Sequence, residues 1–136
     1  MFKVFLVSVG GAIGSVARYL VSTWAVAAFG TGFPGGTLLV NVMGSFLIGA
    51  IFETSLRSAA ISGDLRLFLT TGVMGGFTTY SSFNYETIRL LEDGSLGLAL
   101  INLSATVFGC MAAGMLGLAS ARFLLYLPTS LTGRWR

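Results

Sequence analysis

The run Gly75-Gly76-Phe77-Thr78-Thr79-Tyr80-Ser81-Ser82-Phe83 places glycines and hydroxyls inside a stretch whose flanks are largely apolar. Glycine weakens a helix interior by about 1 kcal/mol per residue relative to alanine, and the hydroxyls of Thr78, Thr79, Ser81 and Ser82 can cap a second half-helix. The run therefore predicts an interrupted helix. Its two ends carry opposite chemistry: free carbonyls that suit a cation close the first half, while free amides at a positive dipole end, which suit an anion, open the second. The plainer alternative is a glycine kink that only shapes packing.

Further polar residues can converge on the break. Thr37, Asn41 and Ser45 lie at i−4, i and i+4 and share one helix face, and Asn102, Thr106 and Cys110 repeat the pattern. Such stripes read either as a donor-lined pathway or as interhelical hydrogen bonds. Tyr80 and Phe83, one turn apart, can turn positive ring edges toward an anion. The acidic residues are Glu53, Asp64, Glu86, Glu92 and Asp93, of which only Glu86 is expected well inside a helical run. Donors without acids favour an anion. Arg18 can snorkel to an interface or brace an anion-attracting vestibule, and Glu86, three residues after Phe83, can border a pore mouth.

The elements that must position these groups follow from composition. Of 136 residues 54% are hydrophobic and only 10% charged, against roughly 25% charged in a soluble domain. A bilayer is the natural solvent for such a chain. Each crossing needs roughly 20 apolar residues, and punctuation at 31–36, 54–64 and 92–95 divides the sequence into helices at about 4–29, 35–56, 65–91 and 96–125. The expected architecture is all-α, a single four-helix transmembrane domain over 1–136 with a break in the third helix. The first helix reads as retained rather than as a signal peptide, and the tail from Pro128 to Arg136 as loose or interfacial.

Several function classes are excluded. Histidine is absent and Cys110 is the lone cysteine, so disulfides within the chain and thiol-rich metal sites are ruled out, and Cys110 reads as a packing residue. A net charge of +3 with no basic stripe implies no nucleic-acid partner. An enzyme is not expected, because no length remains for a soluble catalytic domain and Lys3 cannot supply the buried base of a Ser-Lys hydrolase. Small residues at four-residue spacing (Gly10 and Gly14; Ser45 and Gly49; Gly109, Ala113 and Gly117) let helices pack closely in lipid. With no internal repeat, the chain must dimerise to enclose a symmetric pathway. If both termini share one side, that side takes Lys3, Arg57, Arg66, Arg122, Arg134 and Arg136, which leans toward cytoplasmic termini.

Three stretches resemble the CrcB/Fluc family of fluoride channels, and the resemblance covers nearly the whole chain. Gly10 to Tyr19 is similar to the family's glycine-rich opening with its arginine, here Arg18. Gly36 to Phe46 matches G-T-x-x-[VA]-N-x-x-G-[SC]-F, and Gly75 to Phe83 looks like G-G-[FL]-T-T-F-S-[ST]-F. The resemblance implies an antiparallel, dual-topology homodimer in the bacterial inner membrane, with two pores that passively export fluoride and protect the cell from its toxicity. It further implies a structural sodium ion at the dimer centre, held by the carbonyls of Gly75 and Thr78. Asn41 becomes the pore asparagine, and Tyr80 and Phe83 the aromatics that face fluoride. Thr37, Ser81, Ser82, Asn102 and Thr106 join the polar lining, with Arg18 and Glu86 at the vestibule. Position 80 is Tyr where the family has Phe. Dual topology conflicts with the basic-residue bias, and the resemblance outweighs a bias that rests partly on the tail. The competing reading is a small multidrug-type proton-coupled exporter, which would need a mid-membrane carboxylate in helix one. That helix has none.

Overall fold

The computed structural model describes residues 1–58 and 61–126. In chain order these form α1 (Phe2–Phe29), α2 (Gly35–Arg57), α3 (Gly63–Leu67), a π-helical stretch (Phe68–Met74), α4 (Gly75–Phe77), α5 (Tyr80–Glu92) and α6 (Leu96–Tyr126). The expected tail from Pro128 to Arg136 lies outside the described residues.

Local chemistry accounts for the ends. Gly30 at φ 82 takes the left-handed conformation that stops α1, its N–H returning to the Val26 carbonyl. Pro34, with its restricted φ and no N–H, precedes α2. Gly94 at φ 73 closes α5 with a Schellman pair, Gly94 N–H to the Leu91 carbonyl at 3.0 Å and Ser95 N–H to the Leu90 carbonyl at 2.8 Å. Among the described residues, α1, α2 and α6 are long and apolar enough to cross a membrane. The third span is broken, as expected, into two halves: α3, the π stretch and α4 form the first, and α5 the second.

The break falls within the expected run, at its threonines rather than at its glycines. Gly75 and Gly76 remain helical in α4, and the chain extends only at Thr78 (φ −83, ψ 155) and Thr79 (φ −150, ψ 113). The glycines instead permit backbone contact. A Cβ on Gly76 would collide with the Gly11 carbonyl, and one on Gly14 with the Val73 carbonyl, while one on Gly10 would lie 2.9 Å from Gly72 Cα. These approaches seat α1 directly on the π stretch and α4. On the other side, α2 runs along α6, with Gly117 against the Phe46 carbonyl and Gly49 against that of Gly114. Val40, Met74 and Phe77 form the buried apolar centre, flanked by Ala17, Val21, Ile48, Ile51 and Val73. The core therefore surrounds the break. Gly14→Ala should lower the thermal unfolding midpoint in detergent, an overpacking effect of about 1–3 kcal/mol. Gly11→Ala, whose Cβ meets nothing within 4 Å, is the matched control and should not lower it.

Glu53, unlike Glu86, stands near a helix end, and it is buried all the same. It is 4% exposed near the end of α2. Its carboxylate pairs with Arg57 one turn on and with Arg122 Nε of α6 at 2.8 Å. Arg57 also donates to the Tyr126 hydroxyl at 2.7 Å and lies over that ring. The cluster ties the ends of α2 and α6 together. It also means that two of the basic residues counted toward cytoplasmic termini share a carboxylate, so the local positive charge is smaller than a tally of arginines implies.

Candidate functional site

Both ends of the break are capped by threonine. Thr78 donates its N–H and its hydroxyl to the Met74 carbonyl, at 3.0 and 2.9 Å, which closes the first half-helix. Thr79 is the N-cap of α5, its hydroxyl oxygen accepting the Ser82 N–H at 3.2 Å. The same hydroxyl lies 3.1 Å from Ser82 Oγ and 3.2 Å from Ser81 Oγ. From α2, Asn41 Oδ1 accepts the Thr79 N–H at 2.8 Å while Asn41 Nδ2 donates to the Thr79 carbonyl at 3.0 Å. An asparagine amide thus pairs with both backbone polar groups of Thr79 at the break.

Two clefts flank this junction. One, of about 280 Å³, is lined by Asn41, Ser45, Tyr80, Phe83, Thr106, Val107 and Cys110. Among the described residues no carboxylate and no basic side chain lines it. The Tyr80 and Phe83 rings meet edge-wise with centroids 5.6 Å apart and planes at 60°. Phe83 is buried, Tyr80 stands on the exposed rim, and the buried Thr106 hydroxyl has no hydrogen-bond partner among the described residues. Asn41 retains one amide hydrogen after its two bonds to Thr79.

The second cleft, of about 360 Å³, brings Arg18 and Glu86 together with Ser15, Ser22, Thr37 and Ser82. The Thr37 hydroxyl donates to Glu86 Oε1 at 2.6 Å, leaving Oε2 buried without a partner. A further cavity of about 300 Å³ shares Ser22, Thr37 and Glu86 and extends to Arg89, Asp93 and the α1–α2 loop. Arg18 and Glu86, each ambiguous on its own, therefore share one polar chamber on the other side of the break.

Some expected residues lie elsewhere. Asn102, 1% exposed, lines neither cleft: its Nδ2 donates to the Thr87 hydroxyl at 2.9 Å, and Thr87 in turn donates to the Phe83 carbonyl at 2.8 Å. It is an interhelical bond between α6 and α5, the alternative left open for its stripe. Ser81 is exposed on the protomer surface and lines neither cleft. Gly75 is exposed, Thr78 half-buried. Among the described residues no group of three or more His, Cys, Asp or Glu could hold a metal ion. Sequence reasoning misses two partnerships, that of Thr79 with Asn41 and that of Thr87 with Asn102. The Thr-x-x-Ser spacing from Thr79 to Ser82 signals the cap, but nothing local signals either partner.

Residues 5–118 match the family model described as CrcB-like protein, Camphor Resistance (CrcB). A protein named fluoride-specific ion channel FluC from Anaeromyxobacter dehalogenans is 59% identical over 124 residues, covering 91% of this chain and 98% of the relative. Proteins of the same name from Sorangium cellulosum and Geobacter metallireducens are 54% and 50% identical, covering 92% and 91% of this chain and 98% and 100% of the relatives. With glycine-mediated packing, a third span broken at paired threonines and similarity along nearly its whole length, the chain is a multi-pass membrane protein of the CrcB family, a family of ion channels and not of enzymes.

Proposed function

We propose that the chain is a fluoride-selective channel that exports fluoride passively across the bacterial inner membrane, as an antiparallel homodimer with two pores. The observation that carries this reading is the cleft beside the N-terminus of α5. It offers an amide hydrogen of Asn41, hydroxyls of Tyr80 and Thr106 and the ring edges of Tyr80 and Phe83, with no carboxylate among the described residues to repel an anion. The names of the relatives support fluoride as the ion. Weak donors suit conduction, because an ion must be held firmly enough to shed water and loosely enough to leave.

The dimer is supported by what the protomer leaves open. Polar clefts at membrane depth are tolerated against protein or water, not against lipid, and Tyr80, Ser81 and Gly75 lie on the open face. A second copy across that face would complete each pathway, giving two equivalent pores within the surrounding bilayer. Ser82, Thr37, Arg18 and Glu86 would line the polar chamber at one mouth, and Ser81 would join the lining at the dimer interface.

The break also fits a central monovalent cation such as sodium. Thr79 N–H, the amide that would complete a helical bond to the Gly75 carbonyl, donates to Asn41 instead. The carbonyls of Gly75 and Thr78 would hold the ion, and uncharged oxygens suit a weakly hydrated monovalent ion better than a divalent one. A bound sodium would supply a fixed positive charge between the copies. Replacing sodium by N-methylglucamine should therefore lower the thermal stability of the purified dimer, and unchanged stability would remove sodium from the proposal.

The function is tested by fluoride efflux from liposomes holding the purified protein, with chloride as control. Flux should follow the electrochemical gradient of fluoride alone, to which the membrane potential contributes about 2.3 kcal/mol per 100 mV. Flux that needs a proton gradient would favour the small multidrug-type exporter, and chloride passage equal to fluoride would overturn selectivity.

A further inference from the structure

We infer that Asn41 is a positioning residue that opens the third span, by substituting its side-chain amide for the helical bond between Thr79 and Gly75. Nothing in the local sequence forces an opening at this point. The glycines that could break the helix stay within it, and threonine at positions 78 and 79 is at most a mildly poor helix former. Thr79 is buried, however, so its N–H and C=O require partners. Asn41 supplies both, an acceptor at 2.8 Å and a donor at 3.0 Å, in the pairing that a peptide group would offer.

The presentation of Asn41 is built into α2. Gly44, on nearly the same face one turn later, passes so close to Thr78 that a Cβ there would overlap the Thr78 methyl. Ser45 donates to the Asn41 carbonyl at 2.7 Å within the same helix. With the Thr79 amide captured, the carbonyls of Gly75, Gly76 and Phe77 lose the register that a continuous helix would give them, and Tyr80 and Ser81 become the first turn of a new helix. The Thr79 hydroxyl, freed from a helical position, then caps Ser82. Asn41 thus acts on the pathway mainly through the backbone of another helix. The consequence for flux rests on the channel reading; the opening itself does not.

Amide-resolved hydrogen exchange on the full-length protein separates the two. In the native chain the Tyr80 and Ser81 amides lead α5 and should exchange readily. In Asn41→Leu the Thr79 amide loses its acceptor and returns to Gly75, and those two amides regain the carbonyls of Gly76 and Phe77. Their exchange should slow by about tenfold, the protection expected of one regained hydrogen bond. Asn41→Asp keeps an acceptor for the Thr79 N–H and should leave both amides fast. Unchanged or faster exchange at Tyr80 and Ser81 in the leucine variant, or slowing in the aspartate variant, overturns the inference. If leucine disturbs packing, seen as faster exchange along α1 and α2, Asn41→Ala takes its place: slowed exchange at Tyr80 and Ser81 supports the inference, and unchanged or faster exchange overturns it. Loss of fluoride flux in Asn41→Leu alongside the slowed amides links the opening to conduction. Absence of flux in the native protein would count against the channel reading alone, since the exchange contrast decides the opening independently.

Discussion

Replacing Phe83 by isoleucine should lower fluoride flux by about two- to tenfold, the scale set by losing an aromatic edge contact of about 0.5–1.5 kcal/mol. Phe83 is 4% exposed, borders the cleft that carries no charged side chain, and meets Tyr80 edge-wise. Isoleucine keeps apolar bulk and removes the positive ring edge. The backbone role of Phe83, accepting the Thr87 hydroxyl, survives the change, so the α5–α6 contact through Asn102 should persist. The measurement is efflux rate per dimer, paired with elution volume and unfolding midpoint to show that the fold is intact. Native flux in a folded Phe83→Ile channel would exclude the ring quadrupole from conduction.

The opposite sign is expected at Tyr80. Tyr80→Phe should raise fluoride flux by about tenfold or more, because a phenolic O–H donating to an anion adds on the order of 1.5–3 kcal/mol of binding that the departing ion must surrender. The ring is 77% exposed on the protomer and packs edge-to-face with Phe83. Phenylalanine preserves that contact and the ring edge, and deletes only the hydroxyl. Selectivity over chloride should stay as it was, since the cleft keeps its shape and its other donors. An equal or lower rate would show that the hydroxyl is no brake. Measured together, the two substitutions separate the contribution of the ring edge from that of the hydroxyl.

The family resemblance is carried by short ordered runs, and the relatives agree with it because those runs lie within the matched region. Residue spacing along one helix is equally legible: Tyr80 and Phe83 do share a face, and Gly10 and Gly14 do form a packing seam. Chemistry between helices is not. The burial of Glu53 cannot be read from its own helix, because Arg122, the cation that lets it be buried, stands 69 positions away. Asn102 reads as pore lining because its stripe does not reveal that Thr87 takes its amide.

Composition and periodicity by themselves determined an apolar helical chain with a weakened third span, because burying backbone polar groups in lipid leaves few options beyond helices and closed barrels. The residue at which that span opens was decided only by tertiary structure. Glycine lowers the stability of a helix wherever it stands, but an opening needs a partner for the peptide it releases. That partner is Asn41, 38 positions earlier, brought to Thr79 by close packing of α2 against the break.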